Sequence, residues 1–503
     1  MQSTRSIFGL QELVLRIDAY LEPRHSVSLA CSNLSMFNTI MPRLWKHVNG
    51  MTQLFSLLPD GKTLNQEGNP IPIGDPTGPD FSRFETYSGW VEHLTLTFET
   101  LPMGIYDRTL LAPQEDMLYY YASTRVLLPN LRSITSTSTL QIIAVPLSCL
   151  MAFLSPSLVS LNLVAENYVE TMFPPLPALL YTLSTRCPKL NSLAMIPRLE
   201  RRKRRGTPFS LLFKYATNDY KTQVEDEIKK GLGPSLARIN PLTSFTTSAE
   251  TLDHSCYKSI SAWPLLERLE IVMNLGRGYQ LPELAESAFP CLKHLTLHKV
   301  PNCNAFKMFW DAATLVGKLT SVQLDSSTKI FSNLQAIFHE NDTLLSYLAR
   351  RSPHIQHLFL RFSPQVIGQS TDISMSAFDV LHQLPLRSLH IEGVHLTQRD
   401  NIPEHLVAIF PNLEYLGLPS HSVAFADLQA FQACMPQLHS LCIGAKIESV
   451  SQDLDVKLET IERYRQSVFH TLQIDLFQPG NPIIIAEPGT SPYTYQEIML
   501  LIR

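Results

Sequence analysis

The sequence has no Gly-x-x-x-x-Gly-Lys, Gly-x-Ser-x-Gly, Gly-x-Gly-x-x-Gly or His-Glu-x-x-His motif. Those are the signatures of phosphate cradles, nucleophile elbows, dinucleotide sites and zinc proteases, so the usual marks of catalysis are missing. Cys-x-x-Cys pairs are missing too. The eight cysteines, at 31, 149, 187, 256, 291, 303, 434 and 442, are scattered, which points to a reducing intracellular compartment rather than a disulfide framework. Charge of one sign is also lacking. A formal net charge of −4 drives no global attraction to nucleic acid or membrane over such a length. The longest apolar run, residues 140–154, falls short of the ~20 residues of a membrane helix, and Gln141 and Pro146 break it. Glu12, Arg16 and Asp18 interrupt the first apolar residues, which reads against a secretory leader. The expectation is a soluble chain, cytoplasmic, nuclear or both.

What is present is a phrase that returns. Pro156-x-Leu158-x-x-Leu161-x-Leu163 recurs as Pro290-x-Leu292-x-x-Leu295-x-Leu297 and as Pro353-x-Ile355-x-x-Leu358-x-Leu360. It returns again as Pro411-x-Leu413-x-x-Leu416-x-Leu418 and Pro436-x-Leu438-x-x-Leu441-x-Ile443. Leu-x-Leu places two side chains on one face of a short strand. A phrase recurring every few dozen residues means stacked units, and 503 residues are too many for one compact globule. The first apolar position falls at Val91, Leu131, Leu158, Leu190, Leu266, Leu292, Leu319, Ile355, Leu386, Leu413, Leu438 and, degraded, Phe469. Pro241-Leu242 to Phe245 reads as a weak extra repeat inside the long step from Leu190 to Leu266. Segments such as 341–352 and 427–435 carry Leu, Ala and Phe at helical spacing. Each unit is therefore strand, loop, helix, loop, and the proline marks the end of the preceding helix.

Residues 1–48 differ. Leu10, Leu13, Val14, Ile17 and Leu21 recur at helical spacing, Pro23 stops the run, and further helices are expected around Leu29 and Leu44-Trp45. Residues 49–89 are rich in Pro and Gly and read as a linker. The repeats run over 90–476 with a basic surface insertion at 198–235, and 477–503 form a tail or cap.

The Leu-x-x-Leu-x-Leu series resembles the leucine-rich-repeat family, of the divergent ribonuclease-inhibitor-like type. The N-terminal unit, from Ile7-Phe-Gly-Leu10-Gln-Glu12-Leu13 to Pro42-Arg-Leu44-Trp45, resembles an F-box. Together they resemble the F-box/leucine-rich-repeat proteins of divergent, fungal-like kind. The resemblance implies an α/β solenoid, a horseshoe with parallel strands inside and helices outside, preceded by a small all-α F-box. It implies a non-catalytic substrate receptor of a Skp–cullin–F-box ubiquitin ligase, needing no cofactor. Leu10, Leu13, Ile17, Leu21, Leu29, Leu44 and Trp45 would meet the Skp-type adaptor, and through it a cullin. The rival reading is a scaffold whose N-terminal helices only cap the solenoid.

Residues between the repeat leucines point away from the core. Early repeats offer small groups there: Ser133, Thr135, Ser160, Asn162 and Ser192. Later ones offer Arg268, Glu270, His294, His298, Gln323, Asp325, His357, Phe359, Arg361, His390, Glu392 and Tyr415. Arg and aromatics are what interface hot spots favour, so this later set is the expected surface for a protein target. His294 and His298 lie ~13 Å apart along a strand, too far to share one metal ion. The basic run at 198–205 reads as a charged exposed loop, with nuclear import as the alternative and nucleic-acid binding disfavoured by the lack of interleaved aromatics.

Overall fold

A computed structural model of the chain describes residues 11–50, 53–54, 56–57, 81–97, 122, 125–137, 147–164, 176–196, 231–239, 241–249, 252, 254–273, 281, 283–301, 303–326, 344–362, 371–373, 375–396, 402–424, 427–446 and 471–477. Leu10, Phe469, the basic run at 198–205 and the expected tail beyond 477 lie outside them. The chain divides into two compact units, one of residues 1–247 and 251–260, the other of 248–250 and 261–503. The division falls inside the repeats, and the N-terminal helices belong to the first unit.

The first unit opens with α1 (Gln11–Asp18), α2 (Pro23–Ala30) and α3 (Leu34–Trp45). Pro23 ends the first run by starting the second helix, where its missing N–H costs nothing. Asn33 caps α3 by accepting from the Met36 N–H (2.9 Å). Val14, Ala30, Met36, Ile40 and Met41 form the small core. The fully buried Asp18 carboxylate is held by Arg43, which also donates to the Asp18 carbonyl (3.1 Å), tying the end of α1 to α3.

Then come β1 (His47–Asn49), α4 (Ser82–Ser88), β2 (His93–Thr97), β3 (Ser133–Thr137), α5 (Leu147–Phe153), β4 (Ser160–Asn162), α6 (Leu176–Arg186), β5 (Ser192–Ala194), β6 (Ser244–Ser248) and α7 (His254–Ser261). Strands β1 to β6 pair in chain order, all parallel. The expected linker 49–89 is corrected at its end: α4 is ordered because Phe84 is fully buried and Tyr87 and Trp90 pack against Phe37 and Trp45. The weak repeat at Leu242 is real and supplies β6.

The second unit holds β7 (Arg268–Val272), β8 (His294–His298), α8 (Cys303–Asp311), α9 (Ala313–Val316), β9 (Ser321–Ser326), α10 (Leu344–Arg351), β10 (His357–Phe362), β11 (Thr371–Ile373), a 3₁₀ segment (Met375–Gln383), β12 (Ser388–Glu392) and β13 (Val394–Leu396). It ends with α11 (Ile402–Ile409), β14 (Tyr415–Ala424), α12 (Asp427–Cys434), β15 (Ser440–Lys446) and β16 (Thr471–Phe477). Its main ladder runs β7-β8-β9-β10-β12-β14-β15-β16, parallel throughout, with β11 and β13 as a separate parallel pair. Each unit is an α/β solenoid of parallel strands joined through helices.

Every repeat strand starts two residues after its first apolar position. Register aligns Leu269, Leu295, Val322, Leu358, Leu389, Leu416 and Leu441, all at most 1% exposed, into one apolar spine. The residue just before each strand offers one carbonyl to two successive N–H groups of the next repeat. Glu267 accepts from Lys293 and His294, Lys293 from Thr320 and Ser321, and Thr320 from Gln356 and His357. The recurring proline does more than stop a helix. Leu158, Leu292, Leu413 and Leu438 each donate three residues back, to Ser155, Phe289, Phe410 and Met435. Proline thus sits second in a β-turn, where its φ is pre-set. No described helix is long and apolar enough to cross a membrane.

Gly393, between β12 and β13, has φ +86°, and an added Cβ would overlap the Phe362 backbone. Gly393→Ala should destabilise the chain by about 2–4 kcal/mol. Urea unfolding reads the loss, and an unchanged midpoint would show that the turn relaxes.

Candidate functional site

The N-terminal helices spend part of the expected adaptor set internally. Leu29, Leu44 and Trp45 lean on the small core, and the Trp45 ring lies 4.7 Å from that of Tyr87. Leu13 and Leu21 are half-buried, and Ile17 is exposed. The apolar surface left open shares Ile17 with that set and otherwise differs from it: Tyr20 is 92% exposed, Leu34 74%, Val27 43% and Ile17 41%. Tyr20 and Leu34 escape the sequence reading because helical spacing alone gives Leu34 to the second helix, whereas Asn33 caps a new one in front of it. A tally of apolar residues left over once the core stripe is filled would have found them.

The strand rows place the polar set of the second unit. Arg268, His294, Ser321, His357, Ser388 and Tyr415 are Cα partners in one row. Glu270, Thr296, Gln323, Phe359, His390 and Gly417 form the next. Asp325, Arg361 and Glu392 follow. Arg268, His357 and Arg361 are exposed; Glu270, His294, Gln323, Asp325, Phe359, Glu392 and Tyr415 are half-buried. Two members depart from the expected open surface. His298 is 4% exposed and His390 9%, because side chains of neighbouring strands close over both.

Around His390 the groups form a locked platform. The Phe359 ring stacks on the imidazole at 4.2 Å and 3°. His390 Nδ1 lies 2.9 Å from the Tyr415 hydroxyl. Gly417 makes room for this: any side chain there would overlap the His390 ring. The Arg361 guanidinium sits 5.4 Å from the Phe359 ring centroid and donates to the Glu392 carboxylate at 2.7 Å. His390 (3.9 Å) and Arg361 together hold the Glu392 carboxyl far below the usual range, at about 2. Arg361 is the closer partner and the one at hydrogen-bond distance. The arrangement is a pre-organised aromatic and ionic patch, the kind of surface that anchors a protein partner at little ordering cost. Elsewhere, burial and the Arg268 charge push His294 down, and burial pushes the Tyr415 hydroxyl up.

The first unit presents small groups. His47, His93, Ser133, Ser160, Ser192 and Ser244 are register partners. The His47 and His93 rings stack at 4.5 Å, and His93 Nδ1 lies 2.7 Å from the Ser133 hydroxyl. Burial and the neighbouring His47 lower the His93 pKa. Among the described residues no group of three or more His, Cys, Asp or Glu is placed to hold a metal ion.

No protein-family model matches the chain, and no curated protein matches it. Similar solved structures include the TLR13–ssRNA13 complex: 14% identity, TM-score 0.36, 77% of this chain and 50% of that one. The mouse RP105/MD-1 complex shows 13% identity and a TM-score of 0.27, over 77% of this chain and 51% of that one. The yeast Rad7–Elc1 complex shows 12% identity and a TM-score of 0.26, over 87% of each chain. This chain therefore spans about half the length of the first two. At these identities and TM-scores the similarity carries nothing about partners.

Because the folded-state pKa of Glu392 is depressed, its contribution to stability is present above its ordinary 4.5 and drains as pH falls toward about 2. The side chain is 37% exposed, so solvent screening keeps the effect small. The stability gap between wild type and Glu392→Gln should narrow across that window in urea titrations. A gap constant with pH would mean that the Arg361 pair contributes nothing in solution.

Proposed function

We propose that this chain is a non-catalytic substrate receptor of a ubiquitin ligase. Its N-terminal helices dock on a Skp-type adaptor, and through it on a cullin, while the polar face of the second unit holds a protein target. The observation that carries the reading is the exposure of Ile17, Val27 and Leu34 on the helices, and of Tyr20 in the turn after α1, outside the small core those helices form. Large apolar side chains left in water on so small a unit mark a partner, and the F-box resemblance names its kind. The mechanism is proximity. Holding a target beside a separate conjugating enzyme raises effective concentration with no reacting group on this chain.

One observation favours the second reading, a capped scaffold. Trp45, Tyr87 and Trp90 bind the helices to the first repeat, and β1 covers the edge of β2. The two roles separate by mutation. Ile17→Asp with Leu34→Asp should cut co-purification with a Skp-type adaptor at least about tenfold while leaving the thermal midpoint in place. Trp45→Ala should lower that midpoint instead. Adaptor capture undiminished by the double change, or never detected with the wild-type chain, leaves only the cap. On the other surface, Phe359→Ala with Arg361→Glu should abolish target enrichment in proximity labelling without affecting the adaptor.

A further inference from the structure

Among the described residues of the second unit is a buried histidine whose two ring nitrogens both face carboxylates. His298, on β8, has Nε2 2.6 Å from Glu270 Oε1 on β7 and Nδ1 3.5 Å from Asp325 Oδ2 on β9. Its side chain is 5% exposed, and the carboxylates are 23% and 17% exposed. A neutral imidazole offers one N–H; only the imidazolium offers two. Both carboxylates can therefore be served at once only while the ring is charged. We propose that His298 is a buried proton switch that, when charged, ties three successive repeats of the second unit together.

Burial disfavours the charged ring, but Asp325 and Glu270, through hydrogen bonds and charge, outweigh it and move the titration upward from the ordinary 6.5. The shorter Glu270 contact is the stronger hydrogen bond; the Asp325 contact is long and mainly electrostatic. Other charged or titratable groups on the surrounding strands are Arg268 on β7, His294 on β8 itself, and Arg361 on β10, the register partner of Asp325. Lys299 follows directly at φ 56°. When the proton leaves, one carboxylate loses the N–H of His298, and the face becomes one charge more negative between Arg268 and Arg361. A group whose folded-state pKa is raised contributes fully below its unfolded value, and the contribution is lost as pH rises through the folded one. The second unit should thus loosen as pH rises above 6.5, whatever its face binds.

The test uses the full chain with histidine-selective ¹³C labelling. One resonance, identified by its absence in His298→Gln, should titrate above 6.5. In the Glu270→Gln, Asp325→Asn double variant it should move to or below that value. The wild-type urea midpoint should fall from pH 6 to pH 8.5 more than that of the double variant. If His298→Gln does not fold, the resonance that moves in the double variant identifies the ring. Titration at or below 6.5 in the wild type, or identical pH profiles for the two proteins, overturns the switch.

Discussion

A repeat here cannot bury its own leucines. Each strand is a few residues long, with one face wet, so its apolar side chains reach dryness only against the repeats before and after it. The shared spine supplies that burial, and the carbonyl that accepts two N–H groups from the next repeat sets where each strand begins. Register follows from both. A strand slipped by one residue would turn its leucines to water and its polar row inward.

That register converts sequence distance into contact. His298 meets Glu270 and Asp325 at separations of 28 and 27 residues, Arg361 meets Glu392 at 31, and His390 meets Tyr415 at 25. Each is about one repeat away. The polar face is therefore a lattice in which each side chain has neighbours from the repeats on either side. The two units use their own faces differently. In the first unit small hydroxyls line up with little charge between them. In the second, charge alternates along the row of Asp325, Arg361 and Glu392, and aromatic rings lie flat on one another.

The strands were legible because a period of two, repeated after a proline, leaves little alternative. All the described repeat strands start where the leucine spacing puts them, including β6 at a phrase degraded to Leu242 and Phe245. The short strand β1 was not legible, since three residues after a helix carry no alternation worth reading. Helix α4 was hidden by the prolines and glycines before it, although Phe84, Tyr87 and Trp90 gave it something to bury. On the face, strand alternation says which side a residue is on but not what its neighbours do to it. His298 and His390 lie on the polar side as the spacing requires, yet they are buried, because burial there depends on side chains one repeat away. On the N-terminal helices the failure runs the other way. Periodicity finds apolar residues but does not say which of them the small core has room for: Trp45 packs on that core and on Tyr87, while Tyr20 stays in water.

The vacancy at Gly417 also bears on how such a face can diverge. Exposed positions of the face, such as Arg268 and His357, can accept a new side chain with little rearrangement around them, so recognition can be rewritten there one rung at a time. Around His390 that freedom ends. The ring needs the hydrogen atom of Gly417, the hydroxyl of Tyr415 and the flat of Phe359 together, so a change at any one strands the other three. This corner of the solenoid should therefore be inherited as a block, and drift in target preference should begin elsewhere on the ladder.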